Sequence, residues 1–99
     1  MNQREERVIQ WAKDRQIIQN STPLAQFEKL QEEIDELKEA LESNDMKEAI
    51  DAIGDSRVVL TIIANMINTC SESCDDAAWN EIKDRKGYLN SEGIFVKEV

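Results

Sequence analysis

The fold is decided by residues 50–64, which read IDAIGDSRVVLTIIA. Asp51, Gly54 and Asp55 open this stretch, and the most hydrophobic run of the chain follows directly. An ionised carboxylate is costly to bury unless it is paired or bound to a metal, and a glycine inside a helix costs about 1 kcal/mol relative to alanine. The stretch therefore predicts a central helix with an acidic end, in which another group must compensate the carboxylates and close helix packing explains Gly54.

The composition is that of one small acidic domain. The chain has 99 residues, with 21 acidic and 12 basic side chains and a net charge of −9. This charge argues against a protein that holds a phosphate backbone on a basic surface, so we expect no nucleic-acid polymer as a partner. A domain of this size buries a limited share of its surface and often gains stability from oligomerisation. We expect one domain over residues 1–99.

The chain contains no histidine, which excludes every mechanism that needs an imidazole base or a histidine-bound zinc. Any catalysis must therefore use carboxylates, lysine or a metal. Cys70 and Cys74 lack the spacing of a redox Cys-x-x-Cys pair, and we interpret them as free thiols of a cytoplasmic protein, with a disulfide or redox role as the alternative. We expect no membrane partner, because the apolar run of the chain is shorter than the roughly 20 residues that span a bilayer.

Hydrophobic spacing along the chain predicts an all-α fold. Thr22 and Pro23 are suited to the N-cap and first turn of a helix, and Gly87 is suited to ending one. We expect a polar break at 70–75 and a hairpin or irregular arm at 88–96. The predicted helices cover residues 3–18, 23–42, 46–69 and 76–85. The predicted architecture is a four-helix bundle-like domain with a short C-terminal arm.

The second predicted helix has an apolar stripe bordered by acids. At about 100° of rotation per residue, Glu33 and Glu36 flank this stripe, whereas the other acids of the helix, including Glu32, fall on the opposite side. We expect the stripe to form the core face of the helix. Its residues are Leu24, Phe27, Leu30, Ile34, Leu37 and Leu41.

The third predicted helix repeats this arrangement, because Glu48, Asp51 and Asp55 share a sector with the apolar stripe that continues through Ile62. Like charges at this spacing repel, and more strongly when desolvated. A cation between the two helices would relieve the repulsion, and Mg²⁺ fits a set of carboxylate oxygens. The alternative is a solvated acidic face without a ligand.

Positive charge follows the third helix at Lys83 and Arg85, next to Asn80. These side chains could clamp a metal-bound polyphosphate. The alternative is a cationic helix C-terminus that the helix dipole favours.

The two acidic segments resemble the all-α nucleoside triphosphate pyrophosphohydrolases of the MazG type, which carry an E-E-x-x-E motif followed by E-x-x-D. The first segment is Glu32-Glu33-Ile34-Asp35-Glu36 and the second is Asp51-Ala52-Ile53-Gly54-Asp55. Residues 10–15, 80–87 and 93–97 also look like the short single-domain members found in phages and mobile cassettes. The resemblance spans essentially the whole chain.

The resemblance implies hydrolysis of a (deoxy)nucleoside triphosphate to the monophosphate and pyrophosphate, by a water that attacks the α-phosphorus. It implies Mg²⁺, with Mn²⁺ as an alternative, and a homodimer or homotetramer. By position, Glu33, Glu36 and Asp55 match the catalytic acids that hold the metal, and Glu32 matches the remaining acid of the first motif. Ala52 stands where the family has a glutamate, so Asp51 or Glu48 would supply the missing carboxylate.

The substrate residues implied by the resemblance are Asn80, Lys83 and Arg85, which match the phosphate-contacting region of the family. Trp11 is a candidate to stack on the base, and a core tryptophan is the alternative reading. Two rival functions stay open: a non-catalytic acidic helical interaction or regulatory module, and a relative that binds nucleotides without turnover.

Overall fold

The computed structural model describes residues 1–98 and shows a mostly helical protein with a small two-stranded sheet. The all-α class predicted from the sequence is confirmed. The elements are, in order, α1 (Gln3–Asp14), α2 (Ile17–Asn20), α3 (Pro23–Glu42), α4 (Met46–Met66), α5 (Ser71–Ile82), β1 (Gly87–Leu89) and β2 (Phe95–Lys97). Within residues 1–98, no helix is both long and apolar enough to cross a membrane.

Local sequence accounts for the starts of three helices. Asn2 and Glu5 form a capping box at the start of α1, in which each side chain accepts from the backbone N–H of the other. The hydroxyl of Thr22 accepts from the backbone of α3, and Pro23 occupies the first turn, as predicted. The carboxylate of Asp45 caps α4 in the same way.

The first predicted helix, residues 3–18, is two helices in the structure. Gln16 adopts a left-handed backbone conformation with φ of 66°, which a right-handed helix cannot include. Helix α1 therefore ends at Asp14, and α2 is a separate short helix that starts at Ile17. The prediction of one continuous helix was wrong at this point.

The predicted polar break at 70–75 was also wrong, because α5 begins at Ser71 rather than near residue 76, and α4 ends at Met66 rather than at residue 69. The backbone N–H of Glu72 donates to the Glu5 carboxylate at 2.8 Å. The first turn of α5 is thus capped by a side chain from α1. This cap lies 67 residues away in the sequence and leaves no local signal.

The C-terminal arm is an antiparallel hairpin of β1 and β2, in which Tyr88 faces Val96. Gly93 closes its turn with φ of 81°, a conformation that L side chains rarely adopt. The Asn90 side chain accepts from the backbone of Glu92 and Ile94 and so holds the turn in place. The sequence left a hairpin and an irregular arm open, and the structure shows a hairpin.

Helix α4 is the central element and packs against α1, α3 and α5. The buried residues where α3 and α4 meet are mostly small, which lets the two helices approach closely. These small residues are Ala40, Ala49, Ala52 and Ser56. The larger buried apolar side chains are Ile9, Val59 and Ile62.

The leucine-rich stripe of α3 was expected to form the core, and most of it is exposed. Phe27 is 53 % exposed and Leu41 is 54 % exposed, because α3 turns Glu33 and Ala40 toward the interior instead. On α4, Ile53 and Leu60 are also about half exposed. Helix geometry places these residues of the antiparallel α3–α4 pair on one side, opposite the acids. We call this side the apolar face: Phe27, Ile34, Leu41, Ile53 and Leu60.

Gly54 was expected to permit close helix packing. The structure shows an exposed position, where a side-chain carbon would meet no atom within 4 Å. The packing explanation is therefore wrong for the single chain.

Candidate functional site

Glu33 is a buried carboxylate at the junction of α3 and α4, with only 5 % of its surface exposed. Its Oε1 atom forms an ion pair with Lys29 Nζ at 3.3 Å, one helical turn earlier. Its Oε2 atom is buried and has no hydrogen-bond partner among residues 1–98. Buried carboxylate oxygens are normally satisfied, so this oxygen points to a ligand that is bound from outside the chain.

Glu36 lies on the solvent side of Glu33 and is exposed. Two ionised carboxylates cannot hydrogen-bond, but a protonated Glu36 can share a hydrogen with Glu33. This hydrogen bond, together with the negative charge of Glu33, raises the pKa of Glu36 above its ordinary value. Glu48, from the start of α4, adds to the effect through its charge.

Asp55 is the half-buried acid of α4 that faces this pair. Burial is the largest cause that raises the pKa of Asp55, and the charges of Asp51 and Glu33 raise it further. Asp51 is exposed, one helical turn before Asp55, and close enough to hydrogen-bond with it. The effect of Glu33 on Asp55 shows that acids from two helices share one electrostatic environment.

Ala52 explains why the second motif departs from E-x-x-D. Its side chain is fully buried, with 0 % exposure. Its carbonyl accepts a hydrogen bond from Ser56 Oγ at 2.7 Å. A glutamate at this position would have to enter the helix interface, whereas Asp51 lies beside Asp55 on the acidic side.

Two further acids were predicted as ligands. Glu32 is exposed and forms an ion pair with Lys29 at 3.3 Å. Glu48 is exposed and lines a cavity with Glu36 at the turn between α3 and α4. Glu48 therefore borders the acidic cluster, which we define as Glu33, Glu36, Asp51 and Asp55.

A groove of about 280 Å³ opens onto the acidic cluster between α1, α2, α3 and α4. Glu33 and Asp55 lie in its wall, and Trp11 of α1 lines it together with Lys29. Trp11 is 44 % exposed, so it is not the core tryptophan of the alternative reading. We call this cavity the carboxylate groove.

The acidic cluster fits Mg²⁺ in the chemistry of its donors, because Mg²⁺ prefers carboxylate oxygens and Glu33 Oε2 has no partner in the described part of the chain. As the side chains stand, however, no three acidic or thiol groups in residues 1–98 converge into a metal-binding group. The carboxylate oxygens are therefore the type of ligand that Mg²⁺ prefers. Their side chains are arranged as carboxylates that repel one another, and they do not converge on one point.

The predicted phosphate-binding residues lie elsewhere in the chain. Asn80 is at the C-terminal end of α5, Lys83 directly follows it, and both are exposed. Arg85 forms an ion pair with Glu81 at 3.5 Å and lines a shallow cavity beside the C-terminal hairpin. Within residues 1–98, the structure does not bring these three residues to the carboxylate groove.

Sequence reasoning missed three cations, of which Lys29 lines the carboxylate groove and two arginines line the neighbouring cavity. Lys29 was detectable from its position four residues before Glu33, which is the spacing of a helical ion pair. Arg4 and Arg7 line a cavity together with Trp11 and Asp55. Their signal was the spacing Arg4, Arg7 and Trp11, which places the three side chains on one face of a helix.

Comparison with known proteins shows one informative similarity. Over 57 residues the chain is 44 % identical to an uncharacterised 18.2 kDa protein of Haemophilus phage HP1, strain HP1c1, encoded in the rep-hol intergenic region. The match covers 58 % of this chain and 35 % of the phage protein. No family model matches the chain, and no solved structure matches it significantly.

Proposed function

We propose that the chain is a MazG-like pyrophosphohydrolase that hydrolyses (deoxy)nucleoside triphosphates to the monophosphate and pyrophosphate, with Mg²⁺ or Mn²⁺ as cofactor. The observation that carries the proposal is the buried Oε2 atom of Glu33, which has no hydrogen-bond partner among residues 1–98 and belongs to a side chain that lines the same groove as Asp55. A protein that kept its acids only for solubility would expose them.

Glu33, Glu36, Asp51 and Asp55 would hold the metal. Bound there, Mg²⁺ supplies charge neutralisation for the triphosphate and a more acidic water. Glu36 is the acid best suited to accept a proton from the attacking water, because it is exposed whereas Glu33 is buried. The water oxygen bonds to the α-phosphorus, the bond from that phosphorus to the bridging oxygen breaks, and pyrophosphate leaves.

The test is pyrophosphate release from a panel of NTPs and dNTPs with Mg²⁺. We expect turnover with at least one nucleotide, and we expect Asp55→Asn to lower it by about 100-fold or more, the range for loss of a catalytic carboxylate. Glu28→Gln is the matched control, because Glu28 is an exposed acid of α3 outside the cluster. Full activity of Asp55→Asn would show that the catalytic site lies elsewhere.

The panel also separates the rival functions. Nucleotide binding without pyrophosphate release would indicate a relative that has lost turnover, with Ala52 as the first residue to examine. Neither binding nor release, together with no thermal shift by Mg²⁺, would indicate a non-catalytic helical module. The proposed setting is the cytoplasmic nucleotide pool.

We also propose a homodimer in which a second copy covers the apolar face, or a homotetramer built from two such dimers. Exposed apolar patches of this extent mark interaction surfaces, and a twofold axis through the face would pair α3 with α4 of the other copy. Light scattering should report a dimer or tetramer for the native chain and a monomer for Ile53→Lys. Glu28→Lys is the control outside the face, and a monomeric native chain would reject the proposal.

A further inference from the structure

A second groove, of about 490 Å³, adjoins the carboxylate groove along α1. Trp11, Asp55 and Val58 line both cavities, so the two share a wall. Arg4 and Arg7 line only the second one, which we call the arginine groove. One wall of it is therefore cationic and comes from α1, while the opposite wall carries the aspartate of α4.

The two arginines form no ion pair within residues 1–98, although the chain has 21 acidic residues. Within residues 1–98, neither Arg4 nor Arg7 lies within ion-pair distance of a carboxylate. Arg4 instead donates to the neutral Thr61 Oγ1 at 2.9 Å, which holds its guanidinium against α4. Guanidinium groups left unpaired beside an acidic cavity are placed to receive an anionic ligand.

Trp11 extends the same face of α1. Arg7 and Trp11 are four residues apart, about 6 Å along a helix axis, and Arg4 is about 10 Å from Trp11 by the same measure. The guanidinium of Arg15 lies 4.5 Å from the indole centroid and holds the ring from one side. The rest of the indole borders both grooves.

We propose that the arginine groove is the nucleotide subsite of this chain: Arg4 and Arg7 bind the phosphate oxygens and Trp11 contacts the base. This deepens the proposed function and rests on it for the identity of the ligand as a nucleoside polyphosphate. The arginines would bind the phosphate chain on one side, and the acidic cluster would hold the metal that neutralises its charge. Lys83 and Arg85 are not needed for this subsite within one chain.

Binding without turnover is the test, measured by calorimetry with Mg²⁺ and a nonhydrolysable α,β-methylene nucleoside triphosphate. Arg7→Gln is the decisive variant, because Arg7 is exposed and its removal takes no buried contact from the fold. We expect Arg7→Gln to weaken binding about 10- to 100-fold, as for the loss of a charged hydrogen bond. Arg57→Gln is the matched control, since Arg57 is an exposed arginine that lines neither groove.

Calorimetry with inorganic tripolyphosphate and Mg²⁺ separates the role of the arginines from that of Trp11, because this ligand has phosphates but no base. Arg7→Gln should weaken the binding of both ligands, whereas Trp11→Ala should weaken only that of the nucleotide. Equal losses of affinity in Arg7→Gln and Arg57→Gln would mean that only the net charge of the chain matters, which would overturn the subsite. Unchanged nucleotide affinity in Arg7→Gln would overturn it as well.

The outcome is distinguishable from that of the proposed function. Pyrophosphate release with an unchanged KM in Arg7→Gln would reject the subsite and leave the hydrolase standing. Binding that depends on Arg7, in a chain that releases no pyrophosphate, would support the subsite and reject hydrolysis.

Discussion

Two acids of this chain are almost completely buried, and they have opposite surroundings. Glu5, with 1 % exposure, accepts from the backbone N–H of Asn2 and of Glu72, both at 2.8 Å. Glu33, with 5 % exposure, keeps one oxygen without any partner in residues 1–98. Burial alone therefore does not mark a functional acid, because the bonds around the carboxylate decide whether it stabilises the fold or is left for a ligand.

The pKa directions follow the same division. Hydrogen bonds from the backbone of Asn2 are the largest cause that lowers the pKa of Glu5, and those from Glu72 and Ser71 add to it. Around Glu33 the pKa of Glu36 and that of Asp55 are raised. The donors at Glu5 favour its charged form, whereas the cluster disfavours additional charge.

The largest effect is expected from Glu5→Gln. Glutamine keeps one amide oxygen as an acceptor, but its NH2 group is a donor and would face a backbone N–H, so the cap of either α1 or α5 loses its bond. We expect the Tm to fall by several degrees and the amides at the start of the helix that loses its cap to exchange faster with solvent. Glu6→Gln makes the same change on an exposed neighbour. Equal Tm values for the two variants would refute the structural role of Glu5.

The second effect is stabilisation by Mg²⁺, which depends on the other buried acid. A ligand that binds only the folded chain adds about 2.7 kcal/mol at 100 times its Kd. We expect Mg²⁺ to raise the Tm of the native chain and of Glu5→Gln, but not that of Glu33→Gln. Differential scanning calorimetry with Mg²⁺ or EDTA provides the measurement. A Mg²⁺ shift that survives in Glu33→Gln would place the metal elsewhere.

The comparison also shows how far sequence reasoning reaches. Glu33 and Asp55 were predicted as partners because helical periodicity is local, and the structure places both in the wall of the carboxylate groove. Glu5 was missed, although Asn2 and Glu5 have the spacing of a capping box, because the opening of the chain looked uniformly charged. Its second role, as the cap of α5, joins residues 67 positions apart and is tertiary.

The same limit explains the errors in the fold. A stripe such as Phe27, Ile34 and Leu41 shows that a helix has an apolar side, but periodicity does not reveal what covers it. The small residues Ala40 and Ala52 are buried instead, and short side chains of this kind allow two helices to approach closely. The left-handed turn at Gln16 is a single-residue event that leaves helical spacing unchanged on either side.

The third prediction concerns pH in the absence of metal. Asp55 and Glu36 have raised pKa values, so their charged forms cost stability, and this cost is relieved as pH falls through the raised values. Glu5 has a lowered pKa, so its contribution is present above its ordinary value and is lost as pH falls further. We expect stability in EDTA to rise on mild acidification from neutral pH and then to fall.

Two variants show which acid causes the rise in stability on mild acidification and which causes the fall at lower pH. Asp55→Asn should reduce the rise, and Glu5→Gln should reduce the fall, as measured by urea unfolding across the acidic range. A profile in which Asp55→Asn removes the fall instead would reverse the roles given to the two regions.

The smallest effect is expected at Gly54. It tests whether Gly54 is exposed in solution, as it is in the single chain, or is covered by a second copy. Alanine there would meet no atom within 4 Å and would remove the cost of a glycine inside a helix, so Gly54→Ala should stabilise the chain by about 0.5–1 kcal/mol. Gly93→Ala is the matched control with the opposite sign, because φ of 81° makes alanine strained and the hairpin should weaken. Urea unfolding of both variants checks the pair. A loss of stability in Gly54→Ala would mean that a second copy packs closely against this side of α4, and the exposure of its neighbours would then have to be judged in the assembly.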